Sequence, residues 1–180
     1  MLATSNRSFA IEQLSVLVDP SDLAALSEVL IDCVEGGASV SFMSPLSRSK
    51  ADAYWQGVID AAALGERILL VTRNAGGRIM GTVQLVLAQA ENQLHRGDIS
   101  KLLVHRSARC RGVATTLMQA AEKCAHHAGK TLLVLDTATG SDAEHLYQSW
   151  GWNLCGRIPG YALWPHGSVC STTIFYKTLS

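Results

Sequence analysis

The chain has no net charge: fifteen Lys and Arg stand against fifteen Asp and Glu in 180 residues. Such a chain has no global field to draw it to a polyanion or an anionic bilayer, so neither nucleic acid nor membrane is expected as a partner, and any phosphate recognition must be local. No apolar run reaches the length of a bilayer span, and the opening MLATSNRSFAIEQ lacks the apolar stretch of a signal peptide, which makes a cytoplasmic location the expectation. The cysteines, at 33, 110, 124, 155 and 170, are odd in number and form neither a CxxC pair nor a zinc spacing. No disulfide framework is expected. The HExxH zinc signature is absent, and Glu122 with His126 reads as an isolated surface pair rather than part of a metal site. Internal repeats, low-complexity tracts and convincing linkers are also missing.

Hydrophobic residues make up 48% of the chain, ample for one domain spanning 1–180. Residues 9–18 (FAIEQLSVLV) are rich in β-formers. Asp19-Pro20-Ser21 then opens a helix carried by Leu23, Leu26, Leu30, Cys33 and Val34 and ended by Gly36-Gly37; Ala51, Trp55, Val58 and Ile59 describe a second. The runs 67–73 and 78–88 flank the turn Asn74-Ala75-Gly76-Gly77 as an antiparallel hairpin, and a further strand is expected at 98–105. A helix runs from Val113 to Gly129, followed by TLLVLD, a continuous apolar run expected to be buried on both faces. Ser141-Asp142-Ala143-Glu144 is a capping box that starts a short helix through Trp150. Two last strands are expected near 152–158 and 169–178, with long loops at 36–46 and 159–168. The order β-α-α-β-β-β-α-β-α-β-β defines a mixed sheet covered by helices, of α/β (α+β) class.

Between the strand at 101–104 and the helix at 113 lies SARCRGVATT. Two arginines at a helix start are unfavourable unless an anion joins them, because the helix N-terminus already carries partial positive charge. The amides of Gly112, Val113, Ala114 and Thr115 have no partner within the helix, while Gly112 and Ala114 keep side-chain bulk away. Phosphate or diphosphate is the expected guest. The chain has neither a P-loop GxxxxGK[ST] string nor a GxGxxG dinucleotide fingerprint.

What remains, R-x-x-G-x-A between strand and helix, resembles the diphosphate cradle of the GNAT acetyltransferase superfamily. AEHLYQSWGW at 143–152 is similar to the A-x-x-L-Y-x-x-x-G-aromatic segment of the same superfamily, one strand and one helix later. Within it, EGGASVSFM, KLLVHRSARCRG, LDTATGSDAE, GRIPGYALWP and IFYKTL resemble the tabtoxin-resistance branch. The resemblance implies an acetyl-CoA-dependent N-acetyltransferase acting on a small amino-acid-like or toxin molecule by direct transfer. It places coenzyme A on Arg109, Cys110, Arg111, Gly112, Val113, Ala114 and Thr115, on the backbone of Leu103 and Val104, and near Ser141. Many members carry Asn three residues before the alanine of the tyrosine motif; Gly140 stands there instead.

Acetyl transfer to an amine requires a proton acceptor, an oxyanion donor and a proton for the departing thiolate. Tyr147 corresponds to the superfamily's tyrosine, which contacts the cofactor and can serve as the acid, and the Val104 amide suits the oxyanion. Asp98, fourteen positions before Gly112, and Asp136, at the end of the apolar TLLVLD run, are alternative bases, with water a third. Glu35, Ser39 and Phe42 in the first long loop and Tyr161 in the last are the candidate acceptor contacts. Two other readings stand beside this one: an acetyltransferase for protein N-termini or lysines, which would need an open groove, and a silent acyl-CoA-binding module. A monomer or a homodimer is expected, with no metal.

Overall fold

A computed structural model describes residues 9–14 and 20–179. In chain order they form β1 (Ile11–Leu14), α1 (Pro20–Glu35), α2 (Arg48–Ala63), β2 (Arg67–Arg73), β3 (Ile79–Val86), β4 (Arg96–Val104), α3 (Val113–His127), β5 (Leu132–Ala138), α4 (Asp142–Ser149), β6 (Asn153–Leu163) and β7 (Val169–Thr178). The expected order of elements holds throughout, with two short 3-10 turns added at Glu91–Gln93 and Arg106–Ala108. Residues 15–18 of the first expected strand lie outside the described residues.

All seven strands join one sheet in the order β1-β2-β3-β4-β5-β7-β6. Successive strand side chains alternate between its faces, and helices cover both. Leu69 and Val71 of β2 pack with Leu26, Leu30, Trp55 and Val58 from α1 and α2. Leu70 between them packs on the other face, with Leu117, Met118 and Ala121 of α3. Every pairing is antiparallel except β4 with β5, and that parallel ladder is short: Arg96, Gly97 and Asp98 face Leu132, Leu133 and Val134. Beyond it the strands separate, β4 continuing to Val104 and β5 to Ala138. The sheet is split near its middle.

This split corrects one sequence expectation. TLLVLD is not buried on both faces: Leu133 and Leu135 are in the core, whereas Val134 is half-buried and Asp136 exposed. The face expected to be covered borders the opening instead. The second long loop is also shorter than expected, because β6 runs on to Leu163. Pro159-Gly160 reads as a strand breaker, but here it falls in an irregularity between Ile158 and Ala162 on an edge strand, where a missing N–H interrupts no second ladder.

Candidate active site

The described starts of α2, α3 and α4 are finished in two ways. At α2 and α4 a serine caps the helix: Ser47 Oγ accepts from the Lys50 amide and Ser141 Oγ from the Glu144 amide, each at 3.3 Å. At α3 the cap is Gly112, which has no side chain and a φ of +79°. An added Cβ there would meet no atom within 4 Å. The first amide to find a carbonyl is that of Thr116, on Gly112 O at 3.0 Å; the amides of Gly112 to Thr115 have no acceptor among the described residues. Val113 contributes only its amide, since its side chain is in the core. Cys110 is exposed, with φ +57°. Arg111 is exposed and without a side-chain partner among the described residues. Arg109, expected at the anion, turns back toward β4: its Nε donates to Val104 O at 3.1 Å.

The split sheet continues this cradle inward. His105 donates its amide to Met80 O of β3 at 2.9 Å, so by strand alternation the polar groups of Val104 face away from β3, toward the opening. Its carbonyl already accepts from Arg109 Nε and Cys33 Sγ, so of Val104 the amide alone is available to a ligand. Leu103 is not, because the same alternation directs its amide to β3 and its side chain is buried. That corrects the expectation of a Leu103 backbone contact. Gly140, where relatives carry Asn, has φ +79°; Gly and Asn are the residues that adopt this left-handed geometry most readily. The exchange preserves the turn into α4.

The opening holds two adjoining clefts. One, of ≈ 380 Å³, is bordered by Asp98, Ile99 and Ser100 of β4 and by Val134, Leu135 and Asp136 of β5. The other, of ≈ 310 Å³, is bordered by Ser39, Ser41, Phe42 and Met43 from the α1–α2 loop and by Tyr161, Ala162 and Leu163 of β6. Asp136, Tyr161 and Thr172 border both. Across the second cleft, Ser39 Oγ donates to Leu163 O at 3.1 Å and the Ser44 amide to Pro165 O at 3.0 Å. The first long loop and the end of the β6–β7 hairpin thus form one wall.

The expected acceptor residues separate here. Ser39, Phe42 and Tyr161 border the cleft. Glu35 does not: its carboxylate accepts from Ser44 Oγ at 2.9 Å and from the Leu46 amide at 3.2 Å, holding the loop from below. The two candidate bases differ as well. Asp98 borders one cleft, is ion-paired to Arg96 at 3.0 Å and accepts from Gln89 Nε2 at 3.0 Å. Asp136 borders both clefts, is exposed, and has no hydrogen bond or ion pair among the described residues.

Tyr147 is buried, its ring against Trp150, Trp152 and Phe175, and its hydroxyl has no hydrogen-bond partner among the described residues. Burial and then the charge of Asp136 raise its pKa above that of an ordinary tyrosine, so the hydroxyl keeps its proton. The expected capping box is only half formed, because the Ser141 amide donates to Ala138 O and Glu144 reaches one residue further back. Glu144 accepts from the Gly140 amide at 2.6 Å, from Thr173 Oγ1 at 2.9 Å and from Arg157 at 2.9 Å, tying α4 to β6 and β7. Sequence reasoning missed Ser41, Thr172 and Lys101. Only Lys101 carried a signal, as a single cation inside the apolar strand ISKLLV.

A mixed sheet split between two parallel central strands, with an uncapped helix start at one end of the split, is the architecture of an acyl-coenzyme A-dependent transferase. Residues 38–152 match the model of the acetyltransferase (GNAT) family. The chain belongs to that family, and it is an acetyltransferase that uses acetyl-CoA. Solved structures agree on the fold. YncA from Salmonella typhimurium, with its cofactor acetyl-CoA, is 18% identical and superposes with a TM-score of 0.77, covering 96% of this chain and 95% of that one. A ribosomal-protein-alanine N-acetyltransferase from Brucella melitensis is 20% identical at TM-score 0.77, over 94% of this chain and 99% of that one. A protein provisionally named a phosphinothricin N-acetyltransferase is 17% identical at TM-score 0.76, over 95% and 99%.

Proposed function

We propose that the chain acetylates the amine of a small amino-acid-like molecule by direct transfer from acetyl-CoA. The observation that carries this reading is the walled cleft of ≈ 310 Å³, bridged by Ser39 and Ser44, which suits a compact polar ligand held against the Phe42 and Tyr161 rings better than a peptide chain. The resemblance to the tabtoxin-resistance branch supports the same class; the likenesses to the phosphinothricin and ribosomal-protein enzymes extend to the fold alone.

The diphosphate of the cofactor fits the amides of Gly112 to Thr115 with Arg111 beside them, and the edge of β4 left unpaired beyond the parallel ladder suits its extended arm. Bound there, acetyl-CoA supplies an acyl group already activated as a thioester. Asp136, free of partners and shared by both clefts, accepts the proton of the acceptor ammonium, so that the amine is neutral when it attacks. Asp98, already paired to Arg96, holds the floor of the opening. Tyr147 holds a proton at Oη for the leaving group and, being buried, keeps it across the physiological range. The Val104 amide is the oxyanion donor. Cytoplasmic location fits this chemistry; among the described residues no helix is long and apolar enough to cross a membrane.

A panel of amino acids, small amines and histone-type peptides incubated with acetyl-CoA, with free thiol as the readout, tests the reading. At least one small amino-acid-like acceptor should release thiol and the peptides none. Robust acetylation of peptide N-termini or lysines alone would overturn it.

A further inference from the structure

Among the described residues, three that are not glycine hold a left-handed backbone: Ser41 at φ 75°, Lys101 at φ 50° and Cys110 at φ 57°. Cys110 belongs to the turn that leads into the cradle. The other two are distant in sequence and meet in space, Lys101 Nζ donating to Ser41 Oγ at 3.3 Å. Left-handed geometry is unfavourable for an L side chain and persists where the surroundings over-determine it, most often at functional sites. At Lys101 the cause is visible: Thr82 pairs with Leu103 and Gln84 with Ser100, so Lys101 and Leu102 oppose Val83 alone, and the resulting bulge re-aims the lysine toward the α1–α2 loop.

Among the described residues the ammonium so placed has no counter-charge at contact distance. Its neighbours are the Ser41 hydroxyl and the face of Tyr54, 5.9 Å from the ring centre. Tyr54 in turn accepts from Gln84, which accepts from the Arg67 guanidinium at 2.6 Å, so the interior behind the lysine is also cationic. Burial lowers the Lys101 pKa; the charge of Asp136 opposes that and the charge of Arg67 adds to it. Both Ser41, its hydrogen-bond partner, and Asp136, the carboxylate that offsets it, border the ≈ 310 Å³ cleft. That cleft therefore has on one wall the Ser41 hydroxyl, with the Lys101 ammonium directly behind it rather than in the lining, and on another a free carboxylate.

We propose that Lys101 Nζ and Ser41 Oγ bind the carboxylate of the acceptor, which directs its amino group to Asp136. The pattern is complementary to a zwitterion, so the acceptor is an amino acid or a compound that retains an amino acid's carboxylate, and a simple monoamine is a poor substrate. This inference rests on the reading of the walled cleft as the acceptor site, and it can be tested apart from catalysis.

Reductive methylation with ¹³C-formaldehyde gives each lysine a resolved methyl signal, and the Lys101 signal is assigned by its absence in Lys101→Arg. Lactate, which has the carboxylate but no amine, should shift that signal at millimolar concentration, and lactamide should not. Equal responses to both, or no response to lactate, would overturn the carboxylate site whether or not acetyl transfer is found. Once an acceptor is in hand, Lys101→Met should lower kcat/KM for it by about ten- to a hundredfold, through KM, while leaving its carboxamide analogue unchanged. Lys101→Arg should restore part of the preference for the carboxylate form. Equal losses on acid and amide in Lys101→Met would show that the lysine serves proton transfer or folding instead.

Discussion

Substitution of Gly112 separates backbone geometry from charge. Gly112→Ala forces an L residue into φ +79°, a conformation that costs about 1–2 kcal/mol, while its methyl group meets nothing within 4 Å. For a chain of this size that lowers Tm by roughly 2–8 °C. Gly112→Glu carries the same backbone cost and, since its Cβ also enters open space, should melt with the alanine variant. It differs in bringing a carboxylate to the place proposed for diphosphate. At about 4 Å, with an effective dielectric between that of water and that of a protein surface, each pair of like charges costs about 1–4 kcal/mol. Coenzyme A affinity should therefore fall by about ten- to a thousandfold relative to Gly112→Ala, and the gap should narrow as salt is raised. Titration calorimetry of the three proteins with coenzyme A, beside thermal melts, measures both effects. A glutamate variant that binds coenzyme A within twofold of the alanine variant would refute the cradle.

Tyr147→Phe keeps the ring against Trp150, Trp152 and Phe175 and removes a hydroxyl that has no partner, so Tm should hardly move while turnover falls by roughly ten- to a thousandfold; unchanged turnover would return the residue to a packing role. Asp136→Asn should abolish activity near neutral pH and leave it recoverable at high pH, where the amine is already neutral, whereas Asp98→Asn should retain the wild-type profile; the reverse result would transfer the base to Asp98. Glu144 is buried, which raises its pKa, yet bonds from Gly140, Thr173 and Arg157 outweigh this and hold it below the usual glutamate value. Its contribution to stability is then fully present above the unfolded pKa of about 4.3 and lost as pH falls through the lower folded value. Glu144→Gln should cost about 1–3 kcal/mol in a neutral denaturant melt and less in an acidic one; a cost independent of pH would show that the charge contributes nothing.

The order of elements was legible because each is short and strongly marked: Leu69 to Val71 between turn signals, the Val113–Leu117–Ala121 stripe, the Ser141 cap. The uncapped start of α3 was legible too, from the glycine at its cap, whereas the turn of Arg109 back to Val104 O was not. The acceptor wall was not, because it is made by Ser39 meeting Leu163 and Ser44 meeting Pro165, contacts between segments more than a hundred residues apart and without local periodicity. Glu35 misled for a related reason: a carboxylate in a glycine-rich loop reads as substrate-facing, and only the fold shows the Ser44 hydroxyl and Leu46 amide that occupy it. Lys101 required knowledge of the bulge, which depends on the register between β3 and β4 rather than on either strand alone.

The split in the sheet also makes the empty enzyme vulnerable. From Ile99 onward β4 and from Leu135 onward β5 turn unpaired backbone toward each other across a gap, and strand edges of that kind invite pairing with another polypeptide. Most proteins keep such edges at the rim, where lysines and prolines guard them; here they lie in the middle of the sheet, guarded by a bulge and by one charge on each side, Lys101 and Asp136. An extended ligand lying along β4 closes the gap from within. In the pose proposed above, coenzyme A is the missing strand of the fold as much as a reactant, and chains made while the cofactor is scarce should be the first to aggregate.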